Sequence, residues 1–153
     1  MEETANNLPA AEVLLVDDNP ADSELVREIL GRNTCPDHIH AVLNGTEAIA
    51  FLRGQGQHAR AVLPDLVILD LNLPGKSGRT VLAEVKADPV LRKIPVVVFS
   101  TSNATHDIVL SYETGANCYV SKPRNLRDYV AAVNSIGEYW LGFARLPREG
   151  KHE

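Results

Sequence analysis

The sequence predicts an α/β fold, in which a parallel β-sheet carries helices on both of its faces. Five short apolar runs alternate with segments whose apolar residues recur at helical spacing, and mostly short polar links join them. Such alternation is typical of parallel sheets, because a crossover between parallel strands is usually made by a helix. Three runs are continuously apolar, as expected of strands buried on both faces: Val13–Val16, Leu66–Leu69 and 95–99.

The first unit starts with the strand Val13–Val16. Residues 18–22 have turn chemistry, and apolar side chains then recur at helical spacing until Gly31, which is expected to end the helix. We expect Asp22 or Ser23 to cap this helix, because short polar side chains accept hydrogen bonds from the free N–H groups at a helix start.

The second unit is a short strand at 39–43 followed by a helix with apolar residues at 48–52. Gly54 breaks that helix. The following stretch, 55–64, is the longest irregular segment of the chain, and we expect it to be an exposed loop.

The third unit joins the strand Leu66–Leu69 to a helix with apolar residues at 81–85. The loop between them, 73–78, contains two glycines that would permit tight backbone turns. In the fourth unit, the strand at 95–99 is followed by a polar loop and by a helix with apolar residues at 108–112.

The fifth unit is a short strand at 118–120 and a long final helix at 126–141. Five strand–helix units with short links favour the strand order 2-1-3-4-5, the flavodoxin-like arrangement. In that order the chain reverses its winding direction between the first and third strands. Ligands of open parallel sheets bind at such a point, outside the carboxyl ends of the strands.

Composition and charge limit the classes of function. The 153 residues are 44% hydrophobic and 23% charged with a net charge of −5, as in one soluble domain. The chain has no long Lys/Arg run, which argues against nucleic acid as a partner. Without a signal peptide or membrane span, and with Cys35 and Cys118 expected to be buried, reduced thiols, we expect a cytoplasmic protein. The expected organisation is a flexible lead at 1–10, a domain at 11–141 and a C-terminal extension at 142–153.

Charged residues follow three of the predicted strands directly. Asp17 and Asp18 end the first strand, Asp70 ends the third, and Lys122 follows the fifth. Because these strand ends meet at one edge of the sheet, the four side chains should converge. Three carboxylates at close range repel one another unless a cation joins them, and oxygen ligands of this kind suit Mg²⁺.

The same residues suit phosphoryl transfer. A carboxylate can attack a phosphoryl group and carry it as an acyl phosphate, and we expect Asp70 to be this nucleophile. Lys122 would pair with Asp70 before the reaction and with a phosphoryl oxygen afterwards. The hydroxyl of Ser100, at the end of the fourth strand, can donate to a phosphoryl oxygen.

With these residues in place, the chain resembles the receiver domains of response regulators in two-component signalling, the CheY-like family. The resemblance covers about residues 11–141. Because little chain follows the last helix, no output domain is expected and the protein should be a stand-alone receiver. The matching pieces are Leu15-Val16-Asp17-Asp18, Leu69-Asp70-Leu71-Asn72-Leu73-Pro74-Gly75, Ser100 and Lys122-Pro123.

The resemblance implies a phosphoacceptor and a metal site. Asp70 would accept the phosphoryl group from a histidine kinase. Asp18, Asp70 and the backbone carbonyl of Asn72 would bind Mg²⁺ directly, whereas Asp17 would act mostly through water. The protein would be no enzyme in the ordinary sense, because it would catalyse only its own phosphorylation and dephosphorylation.

The resemblance also implies a switch. Ser100 would turn toward the phosphoryl group, and Tyr119 would turn inward behind it. The peptide between Lys122 and Pro123 would be cis. Thr101 stands where the family often has a smaller residue, so access to the site should be narrower than usual.

Other segments are similar to the small regulators that pair with phytochrome-type photoreceptor kinases. In that subgroup a C-terminal extension helps to form homodimers, so a homodimer is expected here, although the same residues could pack on their own domain instead. The similar segments are Ser100-Thr101-Ser102, 107–112, Cys118-Tyr119-Val120-Ser121-Lys122-Pro123, Tyr139-Trp140-Leu141 and Leu146-Pro147, and the apolar candidates for the interface are Ile136, Trp140, Leu141, Phe143 and Leu146.

Three other functions compete with this interpretation. A phosphatase of the haloacid dehalogenase type would need an acid two residues after its nucleophile, where this chain has Asn72. A nucleotide-binding module would need a glycine-rich phosphate loop, and neither common pattern occurs. A phosphorylation-independent interaction domain would not need the complete acidic set. The downstream target, the cognate kinase, the lifetime of the phosphorylated state and the dimer geometry stay open.

Overall fold

A computed structural model of the chain describes residues 10–148. Five parallel strands form one sheet in the order β2-β1-β3-β4-β5, so the predicted fold class and strand order are confirmed. The strands are β1 (Val13–Val16), β2 (Ile39–Val42), β3 (Leu66–Leu69), β4 (Val96–Ser100) and β5 (Cys118–Ser121). The α-helices are α1 (Pro20–Leu30), α2 (Gly45–Leu52), α3 (Gly78–Ala87), α4 (Thr105–Thr114) and α5 (Leu126–Ile136).

The hydrophobic core has two layers, one on each face of the sheet. Side chains of β1 alternate between them: Leu14 and Val16 face the layer that contains α2 and α3, whereas Val13 and Leu15 face the layer of α1 and α5. All four are nearly inaccessible to solvent. The central strands are therefore buried on both faces, which explains why their sequences are continuously apolar.

Helix α1 begins earlier than the sequence predicts. Its N-cap is Asn19, whose side chain accepts hydrogen bonds from the N–H groups of Ala21 and Asp22, and Pro20 is its first residue. The prediction that Asp22 or Ser23 caps the helix is wrong, because both residues lie inside its first turn and Ser23 is buried. Proline at the first helical position after an Asn cap is a favourable start that the prediction overlooked.

The final helix changes geometry after α5. From Gly137 to Phe143 the chain forms a π-helix, in which the N–H of Ala144 donates to the carbonyl of Tyr139 at 2.7 Å. The predicted helix at 126–141 therefore exists as one continuous helical segment, but its last turns are wider than α-helical ones.

The apolar residues of this final segment divide into two groups. Ile136 is 4% exposed, and Trp140 and Leu141 are partly buried in the core layer of α1 and α5. Phe143, in contrast, is 82% exposed. Some of the apolar residues that were expected at a dimer interface thus pack on the chain's own domain instead.

The chain beyond the π-helix returns to the end of the sheet opposite the strand carboxyl ends. Arg148 forms an ion pair with the buried Asp65, which also accepts a hydrogen bond from the N–H of Glu12. The extension predicted at 142–153 is described only as far as residue 148, and the predicted lead at 1–10 lies outside the described residues except for Ala10.

Two smaller expectations concern the cysteines and the membrane. Cys35 and Cys118 are free thiols, as expected, but both are only partly buried, so the prediction of full burial is wrong. No helix within residues 10–148 has the length and apolar character needed to cross a membrane.

Candidate functional site

The carboxyl ends of β1 and β3 bring three carboxylates together. Each of Asp17, Asp18 and Asp70 offers an oxygen atom, and these atoms lie within 4.8 Å of one another. Asp17 and Asp70 are buried, at 3% and 7% exposure, whereas Asp18 is exposed. The convergence that the strand ends predict is therefore present, with an open side at Asp18.

Lys122 lies among these carboxylates. Its Nζ atom is 2.7 Å from Oδ2 of Asp17 and 3.0 Å from Oδ2 of Asp70, so it donates to both. The predicted pairing with Asp70 is thus present in the structure, and the shorter contact with Asp17 was not predicted. The N–H of Lys122 donates to the carbonyl of Ser100 at 2.7 Å, which ties the lysine to the end of β4.

The backbone fixes how both buried carboxylates are oriented. Oδ1 of Asp17 accepts a hydrogen bond from the N–H of Asn19 at 2.9 Å, and Oδ1 of Asp70 accepts one from the N–H of Asn72 at 3.0 Å. Each side chain thus binds the backbone two residues further on, a local turn that Asp commonly forms. In both residues the other oxygen, Oδ2, is left to face Lys122.

Burial and charge oppose each other at this site. Burial raises the pKa of the Asp17 carboxyl, and the nearby charge of Asp70 adds to that effect, while the hydrogen bond from Lys122 works against it. For Lys122, burial alone would lower the pKa, but the hydrogen bond to Asp17 and the charge of Asp70 outweigh it and raise the pKa above its usual value. One ammonium faces three carboxylates, so the site has a net negative charge that suits a divalent cation.

Ser100 and Asn72 form the wall beside Asp70. Ser100 is fully buried at the end of β4, and the side-chain amide of Asn72 lies 3.5 Å from its hydroxyl. The same amide lies 3.4 Å from the hydroxyl of Thr101, at the exposed rim. The position two residues after Asp70 is therefore filled by an amide, without the acid that the phosphatase alternative requires.

Tyr119 connects β5 to the loop after β4. It is half-buried against the core layer of α2 and α3, and its hydroxyl donates to the carbonyl of Ser102 at 2.8 Å. The side chain of Ser102 donates to Asp107 in the first turn of α4, and Asp107 also pairs with Arg79 of α3. Movement of this loop would therefore change contacts with β5, α3 and α4.

Two details of the backbone were not predicted correctly. The peptide between Lys122 and Pro123 is trans, since residues 10–148 contain no cis peptide bond, so the cis prediction is wrong. Gly75 and Gly78 were both expected to permit tight turns, but of these two glycines only Gly75 has a positive φ, of 70°. Gly78 instead packs against the backbone of Asp70, eight residues earlier, a contact that no pattern in the sequence indicates.

Comparison with known proteins gives one family. The family described as "Response regulator receiver domain" matches residues 13–134. The response regulator Rcp1 of Synechocystis sp. is 45% identical over 139 residues, which cover 91% of this chain and 95% of Rcp1. The probable methanogenesis regulatory protein FilR2 of Methanothrix harundinacea is 38% identical over 135 residues, or 88% of this chain and 86% of FilR2.

Solved structures agree with the sequence comparison. The crystal structure of the phosphorylated cyanobacterial phytochrome response regulator RcpA matches with a TM-score of 0.86 and 48% identity, covering 90% of this chain and 99% of RcpA. The Mn²⁺-bound form of Rcp1 matches with a TM-score of 0.82 and 45% identity, again over 90% of this chain and 99% of the other.

Proposed function

The chain belongs to the response regulator receiver family of two-component signalling, and from this premise we propose that Asp70 is its phosphoacceptor. The observation that carries the proposal is the position of Lys122, which holds one oxygen of Asp70 at the carboxyl end of β3. Asp70 combines burial, a fixed orientation and a cation ready to receive a new negative charge. Asp17 shares these features, so the choice of Asp70 rests also on its place in the segment Leu69-Asp70-Leu71-Asn72, which matches the phosphoacceptor position of the family.

Phosphoryl transfer here asks the protein mainly for positioning and charge neutralisation. A carboxylate oxygen of Asp70 attacks the phosphorus atom of a phosphohistidine. A P–O bond forms while the P–N bond breaks, and its electron pair returns to the imidazole of the kinase. Lys122, already protonated, moves its hydrogen bonds to the phosphoryl oxygens as negative charge accumulates there.

The resident cation of the site is Mg²⁺. Asp18, Asp70 and the backbone carbonyl of Asn72 would hold it, and Asp17 would act through water; the three clustered carboxylates fit such a set of hard oxygen donors. When bound, the ion neutralises the charge of the transferred group. That the relative Rcp1 has a Mn²⁺-bound form also supports a divalent cation at this site.

Phosphorylation acts as a switch through Ser100, Tyr119 and Lys122. The phosphoryl oxygens are new hydrogen-bond acceptors for the hydroxyl of Ser100 and the ammonium of Lys122, and they exist only after the reaction. Because Lys122 is hydrogen-bonded to Ser100 and Tyr119 to Ser102, a shift at the end of β4 reaches the surface of α4 and β5. That surface is where the state of the protein is passed on to a downstream protein.

The phosphodonor is a histidine kinase of the phytochrome type in the cytoplasm. Support comes from the likeness to RcpA, a phytochrome response regulator, at 48% identity.

The protein acts on its own Asp70 and on no separate substrate. It forms a homodimer through the exposed part of its π-helix, where Tyr139 and Phe143 are 55% and 82% exposed.

Direct phosphotransfer tests this function. A phytochrome-type histidine kinase is autophosphorylated with labelled ATP, freed of nucleotide and mixed with the wild-type protein or with Asp70→Asn in Mg²⁺. The label should move to the wild-type protein within seconds to minutes and should not move to the variant. Transfer to both proteins would place the phosphoacceptor elsewhere.

A further inference from the structure

Lys122 has a third carboxylate partner, which lies outside the cluster of Asp17, Asp18 and Asp70. Oδ2 of Asp22, in the first turn of α1, is 3.7 Å from Nζ of Lys122. This is ion-pair distance without a direct hydrogen bond, whereas the contacts to Asp17 and Asp70 are 2.7 and 3.0 Å. Asp22 has no part in the phosphoryl transfer described above.

The position of Asp22 is fixed relative to Asp17. The N–H of Asn19 donates to Asp17, while the side chain of Asn19 accepts the N–H of Asp22 at 3.2 Å. One residue therefore connects the end of β1 to the first turn of α1. The backbone of Asp22 is therefore held close to the buried lysine when the helix is formed.

The Asp22 side chain faces inward more than its place on a surface helix would suggest. It is 35% exposed, and it lines a groove of about 190 Å³ between α1 and α5 with Leu25 and Tyr129. Within residues 10–148, Lys122 is the only cation at ion-pair distance from this carboxylate. Arg124 also lines this groove, but among the described residues it does not come within ion-pair distance of Asp22.

We propose that Asp22 is a positioning residue that holds the Lys122 ammonium toward α1 and so restrains its transfer to the phosphoryl group. This inference rests on the proposed function. Of the carboxylates that face Lys122, Asp70 would carry the phosphoryl group and Asp17 would help to hold the cation. Asp22 alone keeps its full attraction for the ammonium after the phosphoryl group arrives.

The restraint should be moderate. A partly exposed ion pair is screened by solvent, and such pairs change an equilibrium or a rate by about two- to fivefold. Asp22 acts through Lys122 and touches neither the phosphoryl group nor the metal ligands. Its removal should therefore change the rate of phosphorylation while the identity of the acceptor stays the same.

The test compares single-turnover phosphorylation rates with acetyl phosphate at saturating Mg²⁺. Asp22→Asn should react about two- to fivefold faster than the wild type, and the gain should shrink at high ionic strength. Asp22→Glu, which restores the charge, should return the rate toward that of the wild type. Glu24→Gln removes an exposed charge from the same helix and should leave the rate unchanged.

A double-mutant cycle separates the lysine from a general field effect. In a Lys122→Ala background, Asp22→Asn should have no further effect on the rate. Equal acceleration with and without Lys122, or no acceleration in Asp22→Asn alone, would overturn the inference while leaving Asp70 as the acceptor. Absence of any adduct in the wild type would overturn the proposed function, and this inference with it.

Discussion

Gly78 packs directly against the backbone of Asp70. A Cβ atom on Gly78 would overlap the carbonyl oxygen of Asp70 and would lie 2.6 Å from the Cα atom of Leu71. Gly78 is the first residue of α3, and its N–H donates to the carbonyl of Leu71 at 3.1 Å. The helix thereby supports the segment that carries the proposed phosphoacceptor, and it does so at a distance that only glycine allows.

Gly78→Ala should therefore impair both folding stability and phosphorylation. The added methyl group must displace backbone, and overpacking of this kind costs about 1–3 kcal/mol. We expect a lower free energy of unfolding in urea and a lower rate of acetyl phosphate uptake. Gly142→Ala is the matched control, because nothing lies within 4 Å of a Cβ at that position. Equal behaviour of the two variants would contradict the positioning role of Gly78.

Lys122 should stabilise the metal-free protein by neutralising Asp17 and Asp70. Its side chain is 5% exposed and theirs are 4% and 9% exposed, so Lys122→Ala leaves two buried carboxylates uncompensated. The expected loss is about 3–5 kcal/mol in the presence of a chelator. Mg²⁺ supplies replacement charge, so it should raise the unfolding temperature of the variant more than that of the wild type.

Lys76→Ala is the control for this prediction. Lys76 pairs with Glu84 at 2.6 Å on the surface, where both side chains are more than a quarter exposed, so its loss should cost less than about 1 kcal/mol. An equal response of the two lysine variants to Mg²⁺, measured by calorimetry, would argue against charge compensation at the site.

Glu12 gives the protein a pH-dependent contribution to stability. Its carboxylate accepts hydrogen bonds from Nδ1 of His38 and from Nε2 of His40, the latter at 2.8 Å. Burial alone would raise the pKa of Glu12, but the two histidines outweigh it, so the pKa lies below its ordinary value of 4.5. A carboxyl with a lowered folded-state pKa stabilises the protein above its unfolded-state pKa, and that stability is lost as the pH falls through the folded-state value.

Glu12→Gln should therefore be less stable than the wild type at pH 7, and the difference should disappear as the pH falls through the lowered folded-state pKa of Glu12. Urea unfolding of both proteins between pH 3 and pH 7 measures this. A difference that stays constant over the whole range would mean that the carboxylate charge is not involved.

The proposed homodimer would use exposed aromatic residues of the π-helix. Tyr139 and Phe143 are exposed and do not belong to either core layer. Trp140, next to Tyr139, is partly buried in the layer of α1 and α5. Replacing both exposed residues by alanine should raise the monomer fraction in light scattering without lowering the unfolding temperature by more than a few degrees. Leu126→Ala, which shortens a side chain that is 66% exposed at the opposite end of the same helical segment, should leave the oligomeric state unchanged.

Removing the whole segment would be a weaker experiment. Truncation before Gly137 would also delete Trp140 and Leu141 and would expose apolar surface of α5. A change in oligomeric state after truncation could then come from damage to the core. Unchanged light scattering in the double alanine variant would contradict dimerisation through this surface.

The sequence predicts the strand order and the convergence of Asp17, Asp18, Asp70 and Lys122 because both follow from local patterns. Continuously apolar runs mark the central strands, and charged residues mark their carboxyl ends. Neither needs knowledge of contacts between distant parts of the chain. The family resemblance then assigns a role to each position.

Contacts between distant segments were not predictable in the same way. The close approach of Gly78 to the backbone of Asp70 depends on how the start of α3 packs against the end of β3. The ion pair between Lys122 and Asp22 depends on α1 starting at Pro20, and the predicted cap placed that start too late. The π-helix after α5 leaves no clear mark in the apolar periodicity, since a segment of two turns is too short to separate the two helical periods.

The proposed function requires that Asp70 takes up one phosphoryl group with the help of a divalent cation. Intact mass spectrometry of the wild type and of Asp70→Asn, after incubation with acetyl phosphate with and without Mg²⁺, tests it most directly. We predict one phosphoryl adduct on the wild type that requires Mg²⁺ and is absent from the folded variant. An adduct on Asp70→Asn, or none on a folded wild type that also receives no label from a histidine kinase, would contradict the claim.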